Sequence, residues 1–583
     1  MWKKYLRTAA YIFLITSLWL LGGCRSEKVT DEKSLTQSKK LVQSGKQIQL
    51  QTPGIRHVIE NGITFSHASG SYAERSLKVH MKAPAGYTIA FTTNGEKPSG
   101  KDASGKSELD VTLNHSMSGY LVENRELLLC PDFSDFVLFQ DASLPAGVVL
   151  NTALVDSKGA VDDKIQTNVY FLNVDFAEKF PGCMVVSITT APQNLLDYKT
   201  GILAAGAVYD LWKNTEVGKI VIEKKLWWKA EANFTQHGRT WERPCQIQIF
   251  NNGSTTPDLE MNAGLRVRGG MSRGFVQKSF MLYFREEYGD SLLHFPLFDK
   301  KEAYQTFSLR NGGNDTDYLK FKDTFIQDLG KGGKFTVFDS RPAVLFLNGE
   351  YWGPYSLNEV ISGKTMENRF GVKAKNVVVI KEAKVKEGKE EDIKLYEELQ
   401  AFANKDLTDP ETYRLFCDTV DVQSMADYFA MRIYIGDSDW TPTHNHVLWR
   451  SRDKSYNGGR WQFIVHDTEY SAGHYDKQVT SPETDHFRLA IQNFPVFGAA
   501  VRNKEFYNLF LQAIKKAGSE NYKYSRVLAK MEAYDKIWGP LMPDFYKRFG
   551  DSSQKRKSCM EAILNFFKRR YDLIIPVVEK WKP

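Results

Sequence analysis

Cysteine is scarce: 6 in 583 residues, with no C-x-x-C pair and no cluster. That excludes a zinc ribbon or finger, which needs several closely spaced ligands. With Cys24 set apart, the other five are odd in number and widely spaced. They read mostly as small buried apolar residues rather than as a disulfide framework. No run of five or more like charges occurs, and a formal net charge of +7 is thin over this length. Nucleic acid is therefore not expected as a partner. The long apolar run at the N-terminus, "TAAYIFLITSLWLLGG", is slightly short for a full membrane span. Disorder of the whole chain is excluded by 42% hydrophobic and 13% aromatic residues. A chain of 583 residues is too long for one core, so two or three domains are expected.

The N-terminus carries an address. "MWKKYLR" is basic, the apolar run follows, and small residues precede Cys24. This order reads as a bacterial secretion signal over 1–24. The "LGGC" ending resembles a lipobox, which implies that Cys24 is lipidated and that acyl chains hold the mature protein on a membrane of the bacterial cell envelope. Residues 25–52 are polar and read as a flexible tether.

The expected class is α+β, with a β-sandwich before a larger mixed domain. Over 53–178, short strands such as "SLKVHMKA", "YTIAFTT", "VVLNTALV" and "TNVYFLNV" alternate with Gly-, Asn- and Asp-rich turns. "YTIAFTTNGEKPS" resembles the turn of a chitobiase/hexosaminidase C-terminal-like domain, which implies a structural or spacer role. Over 183–580, strands ("CQIQIF", "GLRVRG", "KSFMLYF", "TFSLRN", "PAVLFLNG", "NVVVIK") alternate with helices. "DPETYRLFCDTV" has Asp409 as N-cap and Pro410 at the first helical position. In "DVQSMADYFAMRIYIGD", Met425, Phe429 and Ile433 line one buried face. The C-terminal "CMEAILNFFKRRYDLIIPVVEKWK" reads as a packing helix interrupted by Pro576.

"GDSDWTPTHNHVLWR" and "RWQFIVHD" are joined by a loop containing Asn457-Gly458-Gly459. Strands joined this way pair antiparallel, so Asn445 is expected beside Asp467, roughly 5–8 Å away. Asp439 feeds the same end of the hairpin. An amide carbonyl and a carboxylate are hard oxygen donors for Mg²⁺ or Mn²⁺, and a further carboxylate can take a proton from a hydroxyl. Asp, short gap, Asn, hairpin, Asp is the order of a protein-kinase catalytic loop and its metal-binding Asp. Three other readings stand beside it: an ordinary polar turn, a calcium loop lacking the EF-hand's Gly and Glu, and a glycosidase carboxylate pair. The other informative stretch is "LRVRGGMSRGFVQKSFMLYF", whose glycines, with Arg266, Arg268, Arg273 and Lys278, suit an anion.

Together these stretches resemble the spore-coat H (CotH) kinase family of atypical secreted kinases. The resemblance rests on "RGGMSRGFVQKSF", on "FSLRNGGND" with the following "FKDTFIQDL", on "LFLNGEYWGPYSLNE", and on the D-W, N, L-W-R and W-x-F-x-x-x-D patterns. It implies a kinase-like fold using ATP and a divalent metal, with an exported protein as substrate. It also implies roles: Lys278 for the nucleotide phosphates, with Arg266, Arg268, Ser272 and Arg273 around them, and Glu359 orienting that lysine or touching the nucleotide. Asp439 becomes the general base, and Asn445, Asp467 and Glu469 the metal ligands. The chain departs from the family pattern at Val276, Gln277, His444 and Glu469, and in a longer Asp439–Asn445 gap. The alternative is a catalytically weak or inactive module on the same fold, binding glycan, cell-wall material or a protein.

Overall fold

The computed structural model describes residues 55–117, 119–133, 137–298, 302–474 and 478–583. The expected signal segment 1–24, with Cys24, and the expected tether 25–52 lie outside the described residues. The N-terminal strands are β1 (Ile55–His57), β2 (Thr64–Phe65), β3 (Gly70–Tyr72), β4 (Ser76–Lys82), β5 (Thr88–Thr92), β6 (Glu108–Asn114), β7 (Ala146–Val155) and β8 (Gln166–Leu172). Sheet β2-β4-β6 faces the strands β5, β7, β8 and β3 across a core that includes Val79, Met81, Ile89, Leu113, Leu150 and Tyr170. Strand β4 alternates, with Leu77, Val79 and Met81 inward. Strands β7 and β8 do not alternate, because their other face is also covered. Val149, Val169 and Phe171 pack into the largest core of the chain.

The N-terminal unit is less separate than its sequence suggests. Strand β1 pairs in parallel with a strand of the second unit. Between β6 and β7 the chain leaves the sandwich, and Leu121, Val122, Leu128 and Leu138 enter the second unit's core. Strand β7 also continues into the second unit's sheet through the pair Ala146–Glu350.

The second unit has β9 (Met184–Thr189), β10 (Arg243–Phe250), β11 (Leu259–Arg268), β12 (Ser279–Tyr283), a two-strand ribbon β13 (Leu293–His294) and β14 (Ala303–Tyr304), β15 (Thr306–Arg310), β16 (Ser340–Leu347) and β17 (Glu350–Asn358). The pairing runs β15-β12-β11-β10-β9-β16-β17, and β15 also pairs with β17, so seven strands close on themselves. Closure removes free edges and sorts residues into inner and outer sets. Val186, Ile247, Leu265, Phe280, Leu309, Leu345 and Leu357 share one core. Their neighbours Arg268, Met281, Arg310 and Asn358 line a cleft on the other face.

A smaller sheet, β19 (Lys384–Glu387), β18 (Val377–Lys381), β20 (Val447–Ser451) and β21 (Gln462–Ile464), lies across that cleft. Helices pack around it. Asp409 caps the Pro410–Thr419 helix, accepting from the Thr412 N–H at 2.8 Å. The Val422–Tyr434 helix is buried at every position from Ser424 on, not only along Met425, Phe429 and Ile433. Neighbouring helices and strand β21 cover its sides; Phe429, for example, stacks on Phe497 with ring centroids 4.1 Å apart, and Tyr428 lies 4.7 Å from the Phe463 ring. The last helix runs Ser553–Glu579 straight through Pro576, because Ile574, Ile575 and Val578 are buried in the same core. Cys130, Cys183, Cys245, Cys417 and Cys559 are free thiols, three of them buried.

Candidate active site

The Val422–Tyr434 helix ends at Ile435, and Gly436 turns the chain at φ +64. A Cβ there would lie 2.9 Å from the Phe566 ring, so the close packing requires glycine. Next, Asp437 is locked by Arg432 at 2.7 Å, both side chains fully buried. Asp437 also accepts the Asp439 backbone N–H at 3.1 Å. Trp440 is anchored, its indole N–H donating to the Tyr428 hydroxyl at 3.1 Å. Asp439 is thus held from both sides by neighbours whose own positions are fixed.

The chain reaches β20 through a Thr441–His444 turn that leaves His444 Nε2 3.9 Å from Asp439. Strands β20 and β21 pair antiparallel with Val447 opposite Ile464. Continuing that register puts Asn445 opposite His466 and His444 opposite Asp467. Asn445 and Asp467 both take left-handed backbone, φ +52 and +60, at the two mouths of the hairpin. Non-glycine residues rarely adopt this, and Asn and Asp tolerate it best.

Arg310, at the end of β15, gathers the acids. Its guanidinium meets Asp467 at 2.9 Å, Glu469 at 2.7 Å and Asp323 at 3.3 Å. Glu469 also accepts the Asn314 N–H at 2.8 Å, and Asp323 accepts the Thr468 N–H at 2.8 Å. Lys322 donates to the Glu469 carbonyl at 2.8 Å. Two stretches some 150 residues apart, 310–323 and 467–469, are thereby tied at one point.

Burial and mutual repulsion shape the proton affinities. Asp437 is pushed up to about 7 by burial, against the pull of Arg432. Asp439 is held well above the usual carboxylate range by burial and then by the charges of Asp437 and Asp467. Glu469 is also raised well above its ordinary value, first by burial. Asp467 differs: burial raises it, but Arg310, with Lys381 and His444, outweighs burial and leaves it lowered. His466 is driven well below its ordinary value by burial and then by Lys381, so its neutral ring accepts from the Lys381 ammonium at 2.8 Å.

A cleft of about 270 Å³ opens beside this cluster. Arg268, Arg310, Lys381 and Asp323 are among its lining residues, as are the apolar Val337, Phe338, Val360 and Ile361. Glu359 reaches the same cleft. One of its oxygens accepts from the Asp339 N–H at 2.8 Å and from Arg369 Nε at 2.9 Å. Its other oxygen is buried with no hydrogen-bond partner, as is Asn358 Oδ1. Two buried acceptors without donors mark where a ligand can supply them. Burial raises the Glu359 carboxyl above its ordinary value, opposed by Arg369.

The structure does not bring Lys278 to this place, contrary to the sequence expectation. Lys278 precedes β12 on the side of Phe280 and Leu282, so alternation turns it toward the inner face. Its ammonium donates to the carbonyls of Arg273 at 3.1 Å and Phe275 at 2.9 Å, and lies 3.7 Å from the Phe234 ring centroid. Burial lowers its pKa to about 7. Arg273 is also structural: it donates to the Gly269 carbonyl at 2.6 Å and the Gln236 carbonyl at 2.8 Å, fastening the glycine-rich loop to the preceding segment. Arg266 lies over the Tyr283 ring, 4.2 Å from its centroid. Ser272 packs against Gly269, where a Cβ would meet its oxygen at 2.3 Å. Only Arg268 of that basic set lines the cleft; it donates to Ser308 Oγ at 2.5 Å. Of the cleft's other cations, Lys331 pairs with Asp328 and Lys386 with Glu387, while Arg310 and Lys381 end the strands "TFSLR" and "VVVIK", a placement that their sequence patterns carry without marking.

Residues 265–574, which are 310 of the 583, match the family model described as CotH kinase protein. No curated protein matches the chain.

Proposed function

The chain belongs to the CotH kinase protein family, and from that premise we propose that it is an exported, lipid-anchored enzyme that transfers the γ-phosphoryl group of ATP to Ser or Thr of an exported protein. The observation that carries this reading is the gathering of Asp467, Glu469 and Asp323 on Arg310, with Asp439 close enough to feel the Asp467 charge, beside a cleft lined by Arg268 and Lys381. The donor set suits a divalent cation by its chemistry: hard carboxylate and amide oxygens from Asn445, Asp467 and Glu469, where burial first, and neighbouring carboxylates after it, push the Asp439 and Glu469 carboxyls upward. Mg²⁺ or Mn²⁺ bound there would neutralise charge on the transferring phosphoryl group.

The chain's own residues supply the rest. Arg268, Arg310 and Lys381 bind phosphate oxygens. The apolar wall of Val337, Phe338, Val360 and Ile361 takes the nucleobase. Asp439 receives the proton of the acceptor hydroxyl as its oxygen attacks the γ-phosphorus and the bond to the departing ADP oxygen breaks. Positioning and electrostatics carry most of the rate.

A second reading, a non-catalytic module binding glycan, cell-wall material or a protein, is favoured by one feature. Lys278 is turned inward, and Gln277 is committed to structure, donating to the Trp352 carbonyl at 2.8 Å. Labelled ATP with Mg²⁺ or Mn²⁺ separates the two readings. Incorporation by the wild type that disappears in Asp439→Asn and Asp467→Asn supports the enzyme. No incorporation and no nucleotide binding by the wild type supports the module. Anchoring is tested separately, by acylation that Cys24→Ala abolishes.

A further inference from the structure

The three most exposed large apolar side chains among the described residues are Leu211 (77%), Val217 (63%) and Tyr198 (54%). Two of them, with Ile220 at 49%, belong to one helical hairpin, Gly206–Trp212 and Glu216–Glu223. The hairpin is well built. Thr215 caps the second helix, accepting from the Gly218 N–H at 3.0 Å. A Cβ on Gly218 would lie 2.2 Å from the Trp212 carbonyl oxygen, so the two helices approach as closely as backbone allows. Tyr209 and Val221 face inward onto Ala230, Ala232 and Phe234. Val217 and Ile220, three residues apart, share the opposite face. The apolar tip is therefore a firm surface with a core of its own behind it.

Its surroundings are basic. Lys219, Lys224, Lys225 and Lys229 are exposed, Lys225 also donating to the Asp132 carbonyl at 2.9 Å, against Glu216, Glu223 and Glu231; Asp210 is taken by Lys213 at 2.5 Å and by the Tyr198 hydroxyl at 2.9 Å. The hairpin lies outside 265–574, so the family match does not account for it. Trp227, just after it, packs on Phe275 of the glycine-rich loop with centroids 5.1 Å apart, which joins the hairpin to the second unit.

We infer that this hairpin is a peripheral docking surface for an anionic lipid bilayer, with Leu211, Val217 and Ile220 entering the interface and the lysines meeting acidic headgroups. A protein partner is the weaker fit. Protein interfaces bury anchors in pockets and favour Trp, Tyr and Arg, whereas Leu211, Val217 and Ile220 are aliphatic side chains exposed on two short helices. Acyl chains close around isolated aliphatic groups without needing a complementary shape, and lysine-rich polar surroundings suit an anionic surface. No helix of the described residues is long and apolar enough to cross a membrane. The inference does not rest on phosphotransfer.

The test uses residues 25–583, which contain every described element and lack both the signal segment and Cys24. Vesicles of phosphatidylcholine alone and of phosphatidylcholine with phosphatidylglycerol are floated with the protein. The expected result is binding to the phosphatidylglycerol vesicles, weakened by high salt, with much less on phosphatidylcholine. The combined variant Leu211→Asp, Val217→Asp, Ile220→Asp is expected to lower the bound fraction about tenfold. Its thermal unfolding should match the wild type, since the three side chains face solvent. Three outcomes overturn the inference: no flotation of the wild type with anionic vesicles, equal flotation of the variant, or a wild-type dimer in sedimentation that the variant converts to monomer, which makes the surface a self-association face.

Discussion

Replacing Arg310 with Met keeps much of the side-chain volume and removes the charge that joins three acids. Arg310 lies 2.7 Å from Glu469, 2.9 Å from Asp467 and 3.3 Å from Asp323. The Glu469 side chain is 1% exposed and that of Arg310 13%, so water screens this cluster poorly. Removing one member of such a buried set costs about 3–5 kcal/mol. For a cooperative unit of about 500 residues, the two joined units together, that corresponds to a fall in Tm of roughly 3–5 °C. The loss should depend on pH. Without the guanidinium, the native carboxyls hold protons more tightly than in the unfolded chain. The penalty is therefore largest above neutrality and shrinks as pH falls toward the unfolded carboxylate range. Mg²⁺ or Mn²⁺ should restore part of the lost Tm, and more of it in the variant than in the wild type, because the cation then meets oxygens that Arg310 no longer holds. Calorimetry at acidic and alkaline pH, with and without metal, measures all three effects. A Tm loss that ignores both pH and metal would refute the electrostatic account and reduce Arg310 to a packing residue.

Lys278→Met is expected to change ATP affinity less than about threefold, whereas Arg268→Gln or Lys381→Met lowers it more than about tenfold; titration calorimetry reads the contrast, and the reverse order restores Lys278 to the site. The same variant tests burial. Native Lys278 loses its proton near 7, well before the unfolded chain does, so wild-type stability should rise with pH above that point, by up to about 1.4 kcal/mol per pH unit, a slope missing in Lys278→Met urea titrations. Gly313→Ala places a methyl 2.3 Å from Glu469 Oε2 at φ +58 and should cost roughly 2 kcal/mol or more in chemical denaturation, while displacing Glu469 and abolishing metal binding. Glu350, raised to about 7 mainly by burial, keeps its proton where the unfolded chain has lost it; stability present at low pH should fall, by on the order of 3 kcal/mol in all, as pH rises through 7, and Glu350→Gln should flatten that fall in pH-dependent melting.

Local patterns reported local structure well. The Asp409-Pro410 start, the alternating strand β4 and the β20–β21 hairpin each depend on a few neighbouring residues, and each is legible in a short window. The antiparallel register followed from the loop, and with it the two mouths occupied by Asn445 and Asp467. The cationic half of the cleft was not legible in the same way. Which lysine or arginine faces the acids is decided by a ring of seven strands whose closure, β15 on β17, joins segments nearly fifty residues apart. A one-residue change of parity on β12 separates Met281, which lines the cleft, from Lys278, which does not. Asp323 and Arg310 likewise meet Asp467 across some 150 residues, and no local pattern carries such a pairing. The Val422–Tyr434 helix shows a similar limit: four-residue spacing marks one buried face, but the helices that bury the remaining faces come from later in the chain.

The junction between the two units bears on how the protein can be cut or recombined. The Gly147 N–H donates to the Gly349 carbonyl at 2.8 Å, and Glu350 accepts the Val122 N–H at 3.2 Å from within the N-terminal half. A fragment starting near residue 183 would leave that carboxyl buried without its donors and strip Leu121, Val122, Leu128 and Leu138 from the ring's filling. The front module is therefore not a bead that can be exchanged for another. A chimera that grafts a foreign leader onto the second unit at that boundary would inherit a wound, and an intact graft has to be made upstream of β1.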